Sequence, residues 1–414
     1  MGYTISQKII ARAAGVKDVI PGDVVYVKPD LIMLYDWPGF DGLMRDIRVD
    51  PSKVAINLDH FFMPNSEAAA KLHRNYRTTV QKYNIQNFYD IGNSGIGFQL
   101  MVEKGHIRPG MLAIHIDPHV STFGAFGAYC LGVGADIMSA FLIGEVWLRV
   151  PKTIKVNATG TFVPGVTSRD LFEKVVADVG PDGAIGSVNE YDGDGIEGMS
   201  AESRMVICNS VQYVSAETAI INPDKRAIEY LGGKGKEQGY QMMLSDPDAV
   251  YAKVIDYDLA RLEPMVVTPP DVYCVQPLRQ VEGKEINQAL LGTCASGRLE
   301  DLRLAAKMLK GRKVHPNVRF LVTPITQQTF KEAANEGLIG ELIQAGAQIG
   351  PATCGPCYGG IGYLLPGETC IATGTLNIPG RMGSTEAGIY LASAATVTAS
   401  AITGNITDPR KFFQ

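Results

Sequence analysis

Apolar positions near the start of the chain come in short continuous runs separated by helical spacing. Val54-Ala55-Ile56-Asn57-Leu58 before Asp59, and Leu112-Ala113-Ile114-His115-Ile116 before Asp117, predict buried strands. Ligands of open α/β sheets gather beyond the carboxyl ends of strands, so Asp59-His60 and Asp117-Pro118-His119 stand where chemistry is expected. Either pair alone also reads as a turn-forming acid beside a surface histidine; two in one segment favour a site. Ser6 to Gly15 predicts a capped amphipathic helix. Farther on, Thr153-Ile154-Lys155-Val156 and Ala219-Ile220-Ile221 predict strands, with Ser200 capping a helix from Glu202 to Val214. The last third is the most regular. Ala289-Leu290-Leu291 predicts a strand leading to Cys294, then a helix striped by Leu299, Leu302, Ala306 and Leu309 that Gly311 stops. Val318 to Val322, Thr326 to Glu336 and Ala347 to Gly350 predict strand, helix and strand, the last delivering the chain to Cys354 and Cys357. Pro264, Pro269 and Pro270 mark a linker, and the chain divides at 1–152, 153–263 and 264–414. Residues 124–148 and 387–407 carry few charges and read as buried helices, because Asp136 and Glu145 in one, and Ser, Thr, Gly and Asn in the other, argue against membrane spans.

Composition narrows the class. At 414 residues, with 46% hydrophobic and 20% charged positions, neither disorder nor a disulfide-stapled miniature is tenable. A net charge of −5 gives no broad reason to seek nucleic acid or an anionic membrane. The 45 glycines are spread without a period, as in α/β enzymes with loop-built sites. Met1-Gly2-Tyr3-Thr4-Ile5-Ser6 fits a loose lipidation pattern but runs straight into the first helix. Asp192-Gly193-Asp194-Gly195-Ile196-Glu197 lacks the later oxygen ligands of a calcium loop and reads as an acidic turn. The Gly-x-Gly spacing within 232–239 has no strand before it, against a dinucleotide fingerprint.

Seven cysteines, an odd number at uneven spacing, favour reduced thiols in a cytoplasm. Cys354-Gly355-Pro356-Cys357 has the spacing of a thioredoxin pair, yet too little chain follows it to complete such a fold. Structural zinc normally wants four Cys or His ligands, and the pattern offers one distant cysteine plus a pair. Three thiolates converging past strand ends suit an iron-sulfur cluster in which one iron lacks a protein ligand. Such an iron is a Lewis acid able to turn hydroxide into a leaving group.

Leu291-Gly292-Thr293-Cys294-Ala295-Ser296-Gly297-Arg298-Leu299-Glu300-Asp301-Leu302, Pro351-Ala352-Thr353-Cys354-Gly355-Pro356-Cys357, Gly380-Arg381-Met382-Gly383 and Ile406-Thr407-Asp408-Pro409-Arg410 together resemble the aconitase superfamily. The nearest branch is that of 3-isopropylmalate dehydratase large subunits and their homoaconitase relatives, and the resemblance runs nearly end to end. It implies an α/β fold with three aconitase-like domains, mostly parallel sheets and no swivel domain. It further implies that Cys294, Cys354 and Cys357 ligate a [4Fe-4S] cluster with one non-cysteine-ligated iron. Asp59 and His60 would assist proton transfer to the departing hydroxyl, with Asp117 and His119 completing the catalytic set. Arg381 would hold a substrate carboxylate in its two-pronged donor, and Ser296, Asn377 and Asn209 would bind substrate or its bound water. A small swivel-domain subunit, in a heterodimer or heterotetramer, would supply the base, and the substrate would be a small hydroxy acid.

Departures from the pattern bear on substrate choice. The family's Gly-Ile-x-His-Gln stands here as Gly95-Ile96-Gly97-Phe98-Gln99, its Asp-Ser-His as Asp117-Pro118-His119, and the glutamate four residues after Asn209 as Tyr213. Asp117 and His119 are thereby expected to lose their usual partners, leaving their protonation less controlled. Cys-Thr-Asn is Cys294-Ala295-Ser296, and Asn-Arg-Asn is Thr375-Leu376-Asn377, which deletes an arginine. One charge-assisted bond fewer costs about 1.5 to 3 kcal/mol, enough to disfavour a substrate that needs both arginines. A different hydroxy acid follows; the alternative is a non-catalytic or regulatory iron-sulfur protein of the same fold.

Overall fold

A computed structural model describes residues 2–39, 47–232 and 242–413. The chain forms two compact units: 1–91, 100–159 and 182–257 make the first; 92–99, 160–181 and 258–414 the second.

The first unit opens with helix α1 (Ile5–Ala14), capped by a reciprocal Thr4–Gln7 box and stopped by Gly15 in the left-handed conformation. Next come β1 (Val24–Val27), β2 (Leu31–Tyr35), β3 (Val54–Asn57), α2 (Glu67–Tyr83), β4 (Asn87–Tyr89), β5 (Leu112–His115), β6 (Tyr129–Gly132) and β7 (Val146–Arg149). β1 and β7 form an antiparallel ribbon. The other five strands make a wholly parallel sheet in the order β4-β3-β2-β5-β6. β2, β3 and β5 are buried along their whole length, which is why they read as continuous apolar runs. Ile32, Leu34, Val54, Ile56, Leu112 and Ile114 pack with Ile5 and Ile9 of α1 and with Leu72 and Tyr76 of α2. Each such side chain contributes about 1.5 to 3 kcal/mol by leaving water.

A second sheet of this unit uses β8 (Lys152–Thr159), β9 (Ser187–Asp192), β10 (Thr218–Ile221) and β11 (Lys253–Asp258) in the order β10-β9-β8-β11. Helix α3 (Ala201–Asn209) starts on its Ser200 cap but ends early, and a separate short 3-10 turn covers Val211–Val214. The charge-poor 124–148 stretch is not one helix: it holds the end of a 3-10 segment (Pro118–Phe126), β6, a short helix and β7. Gly124 shows why. A Cβ there would lie 1.9 Å from the Ala219 carbonyl oxygen of β10, so the backbone crosses that strand at glycine distance. The 192–197 stretch, expected to be an acidic turn, instead runs from the end of β9 into a short helix over Asp194–Gly198, with Asp192 ion-paired to Lys155 at 2.5 Å. The Gly-x-Gly stretch at 232–239 falls, apart from Gly232, outside the described residues.

The second unit is built on a sheet ordered β13-β12-β18-β17-β14-β15-β16, from β12 (Met265–Val267), β13 (Val275–Pro277), β14 (Gln288–Leu291), β15 (Arg319–Val322), β16 (Gln348–Ile349), β17 (Thr369–Ala372) and β18 (Gly388–Leu391). β14 to β18 run parallel, with β12 and β13 antiparallel beyond β18. The proline segment expected to be a linker therefore contributes an edge hairpin, placing Met265 to Val267 in a ladder. Helices α4 (Leu299–Leu309), α5 (Gln327–Asn335), α6 (Leu338–Ala345) and α7 (Ala394–Thr403) follow. The 387–407 stretch is thus β18 plus α7. Leu302, Ala306 and Leu309 join Phe320, Val322, Val397 and Ile406 in this core.

Candidate active site

In the first unit, three adjacent strands deliver polar residues to one edge. Asp36 follows β2, Asp59-His60 follow β3, and Asp117 to His119 follow β5. Strand order reverses between β2 and β5, the crevice position in such sheets. Asp36, fully buried, accepts backbone N–H bonds from Asp59, His60 and Phe61 at 2.8 Å and lies 2.8 Å from His73 Nε2. One carboxylate thus fixes the loop that presents Asp59 and His60. Those two side chains meet at 2.6 Å between Oδ1 and Nδ1. Burial disfavours charge on His60, yet Asp59, then Asp36 and Asp117, raise its pKa above the ordinary value. The Tyr35 ring stacks on His60 with centroids 4.0 Å apart.

Asp117 Oδ1 accepts the His119 backbone N–H at 2.7 Å and meets His119 Nδ1 at 2.7 Å, while Tyr35 donates its hydroxyl to Oδ2 at 3.1 Å. Burial opposes ionisation here; the His119 charge and hydrogen bonds win and hold this carboxyl well below the usual range. His115, fully buried, accepts the Asp117 N–H on Nδ1 at 2.8 Å, and burial pushes its pKa down to about 3. On the far side of His119, Nε2 lies 2.9 Å from Gln212 Nε2. Asp117 and His119, expected to lose the family's usual partners and so to be less controlled in protonation, are held through other partners. Tyr35 and Gln212, remote in sequence, supply them, while Phe98 and Tyr213 are buried. Asn209 is buried, donating to Thr122 Oγ1 at 2.9 Å and accepting from Ser210 at 2.8 Å.

In the second unit, Cys294 follows β14, Cys354 and Cys357 follow β16, and Thr373 and Thr375 follow β17, all at the carboxyl edge of the parallel strands. All three cysteines are buried. The turn into Cys294 uses Gly292 at φ 152° and Thr293 at φ 73°, a left-handed position costly for a β-branched residue. The Thr373 hydroxyl holds it, accepting from the Gly292 N–H at 2.9 Å and donating to the Gly292 carbonyl at 2.8 Å. Arg298, 1% exposed, donates to the Cys294 carbonyl and to Gln99 Oε1, each at 3.1 Å. Ser296, expected to touch substrate, donates to Asp301 at 2.9 Å. Asn377 donates to the carbonyls of Thr268 at 2.8 Å and Asp271 at 3.3 Å.

The thiols divide by environment. Burial pushes Cys130, Cys208 and Cys370 up, as for inert core thiols. Cys357 goes the other way: a hydrogen bond with the Cys354 thiol, the Arg381 guanidinium 3.4 Å away and the Thr375 hydroxyl at 3.8 Å outweigh burial and hold it well below the usual range. Among the described residues, Asp36, Asp59 and His60 are a set of three whose ligand atoms all lie within 4.8 Å. Three buried thiols past the ends of parallel strands of one sheet are a donor set that fits an iron-sulfur cluster.

Asp36, Tyr35, Gln212 and Arg298 escape a reading of the sequence. The one available signal was Asp36 directly after a buried apolar run, the same signature that exposed Asp59 and Asp117.

The aconitase family model (aconitate hydratase) matches residues 45–404. The 3-isopropylmalate dehydratase large subunit 1 of Methanopyrus kandleri is 40% identical over the whole of both chains, and that of Pyrococcus furiosus is 41% identical over 99% of each. The large subunit from Heliobacterium modesticaldum is 39% identical over 99% of this chain and 100% of its own. Among solved structures, holo-form aconitase X of Thermococcus kodakaraensis superposes with a TM-score of 0.51 over 94% of this chain and 89% of its own, at 10% identity, a likeness of fold alone. With a family match over most of its length and relatives of this identity end to end, the chain belongs to the aconitase family.

Proposed function

We propose that this chain is the iron-sulfur large subunit of a cytoplasmic hydro-lyase that adds or removes water at a small hydroxy acid, with 3-isopropylmalate dehydratase the nearest known activity. The observation that carries this reading is the thiol set at the edge of the parallel strands, where Cys357 is held ready to ionise while the core cysteines are not. Cys294, Cys354 and Cys357 would hold a [4Fe-4S] cluster with one iron free of protein thiolates. Bound there, such a cluster supplies Lewis-acid assistance to a departing hydroxyl.

The protein's own groups do the rest. Arg381 neutralises thiolate charge at Cys357 and has further donors for a substrate carboxylate. Asp59 and His60 form a short, buried pair in which the acidic neighbours overcome burial and raise the His60 pKa, a bias that suits donation of a proton to a leaving oxygen. Asp117 and His119 provide a fixed carboxylate and an imidazole oriented by it. Ser296, Asn377 and Asn209 enter as supports of the loops that carry these groups. Leu376 in place of an arginine favours a substrate with less negative charge than the family's dicarboxylates. A small subunit carrying a swivel domain, the partner implied by the relatives' designation as large subunits, completes the enzyme. No helix among the described residues is long and apolar enough to cross a membrane.

The test is turnover. Combined anaerobically with its cognate small subunit, the reconstituted chain should hydrate or dehydrate at least one member of a panel of 2- and 3-hydroxy acids and their unsaturated products. Iron uptake without turnover of any member would instead favour the regulatory reading.

A further inference from the structure

Tyr35 stands between the two Asp–His pairs of the first unit. It ends β2 with 7% of its surface exposed, and its carbonyl oxygen accepts the hydroxyl of fully buried Tyr76 on α2 at 2.9 Å. With the backbone pinned there, the side chain reaches two groups at once. Its hydroxyl donates to Asp117 Oδ2 at 3.1 Å, while Oδ1 of the same carboxylate faces the backbone N–H and Nδ1 of His119. Its ring lies on the His60 imidazole, with centroids 4.0 Å apart and planes 22° from parallel. Asp59 meets Nδ1 of that imidazole at 2.6 Å, a single contact about which the ring could still rock, and the stacked face of Tyr35 blocks that motion. Trp37 adds an edge-on contact to His60, with centroids 5.6 Å apart and planes at 85°.

We propose that Tyr35 is a positioning residue that joins the two Asp–His pairs into one unit, its ring setting the plane of the His60 imidazole and its hydroxyl setting the Asp117 carboxylate. A phenol suits both tasks, because it stacks as a flat apolar ring and donates a hydrogen bond without bringing a charge. A lysine or arginine in the same place would compete with His60 and His119 for the carboxylates of the site. Phenylalanine can perform the stacking alone and leucine neither task, so the two functions can be taken apart. The part that Tyr35 plays in turnover rests on the hydro-lyase reading; the joining of the two pairs rests on the contacts themselves.

Proton NMR of the full chain, carbon-13 labelled at histidine, tests this without any activity measurement. His60 and His119 are assigned by the signals lost in His60→Gln and His119→Asn. The ring current of a tyrosine stacked this closely should place the carbon-bound ring protons of His60 upfield of ordinary histidine positions. Tyr35→Phe, which fills nearly the same space, should keep that upfield shift and move the His119 signals instead, because Asp117 has lost a donor. Tyr35→Leu should move both. Ordinary His60 positions in the wild type, or His60 signals unmoved in folded Tyr35→Leu, overturn the proposal, as do His119 signals unmoved in Tyr35→Phe. In the enzyme assembled with its small subunit, Tyr35→Phe should lower kcat about fivefold and Tyr35→Leu more, with KM little changed. Equal kcat in all three chains would overturn the positioning role. The predicted spectra with no turnover on any hydroxy acid would sink the hydro-lyase reading alone; turnover with the wrong spectra would sink the Tyr35 proposal alone.

Discussion

In both large sheets the chain enters at a central strand, steps outward twice, and returns on the other side: β2, β3, β4 then β5, β6 in one, and β14, β15, β16 then β17, β18 in the other. The same winding creates the same crevice at the carboxyl edge, between β2 and β5 or between β14 and β17. What occupies the edge differs completely. The first sheet presents carboxylates and imidazoles, each already bound to another: Asp36 to three backbone amides, Asp59 to His60, Asp117 to Tyr35 and His119. The second presents thiols, with buried Arg298 donating to the Cys294 carbonyl and Arg381 standing 3.4 Å from the Cys357 sulfur. Topology selects where chemistry sits, and a few side chains after each strand decide which chemistry it is.

The comparison makes separable predictions. The largest effect is expected from Cys357→Ser, which should remove nearly all bound iron and all turnover while leaving the first unit's polar network intact. Iron analysis and His60 NMR signals check the two halves of that statement. Next comes Asp36→Ala. Removing a buried carboxylate that holds three amides and faces His73 should cost about 3 to 5 kcal/mol in denaturant unfolding, without lowering iron per folded chain. Retained stability would mean that the Asp59-His60 loop is held by something else. Tyr35→Phe should cost about 1 kcal/mol, because Asp117 keeps its two bonds from His119.

How far these sites could be read from the sequence follows the same division. Asp59, His60, Asp117, His119 and the three cysteines were legible because each follows a short apolar run, so that strand ends could be located by pattern alone. The partners were not. Tyr35 lies 82 residues from Asp117 and Gln212 lies 93 from His119, and hydrogen bonds formed across a fold leave no local periodicity. The same limit made Phe98 and Tyr213 look like simple losses. The sequence also misread 124–148 as a helix, since low charge signals burial and not conformation. Pro264 to Pro270, expected to be a linker, bracket β12, a strand paired on both sides, and the prolines lie just outside its ladder.

The smallest predicted effect concerns pH. Asp59 raises the pKa of His60 above 6.5, so its contribution to stability is fully present below 6.5 and is lost as pH rises through the raised value. His60→Gln should therefore lower the melting temperature relative to wild type at acidic pH and have little effect at alkaline pH. Asp117 has the opposite sign: its contribution is present above 3.8 and is lost as pH falls through its lowered value.

The central claim is that the second sheet's thiols hold a cluster with an iron open to substrate. Iron and acid-labile sulfide per chain after anaerobic reconstitution, with electron paramagnetic resonance recorded before and after adding hydroxy acids, test it most directly. The account predicts about four irons and four sulfides per chain, and a spectrum that changes with at least one hydroxy acid. Little bound iron, or a full cluster whose spectrum no hydroxy acid alters, would contradict it.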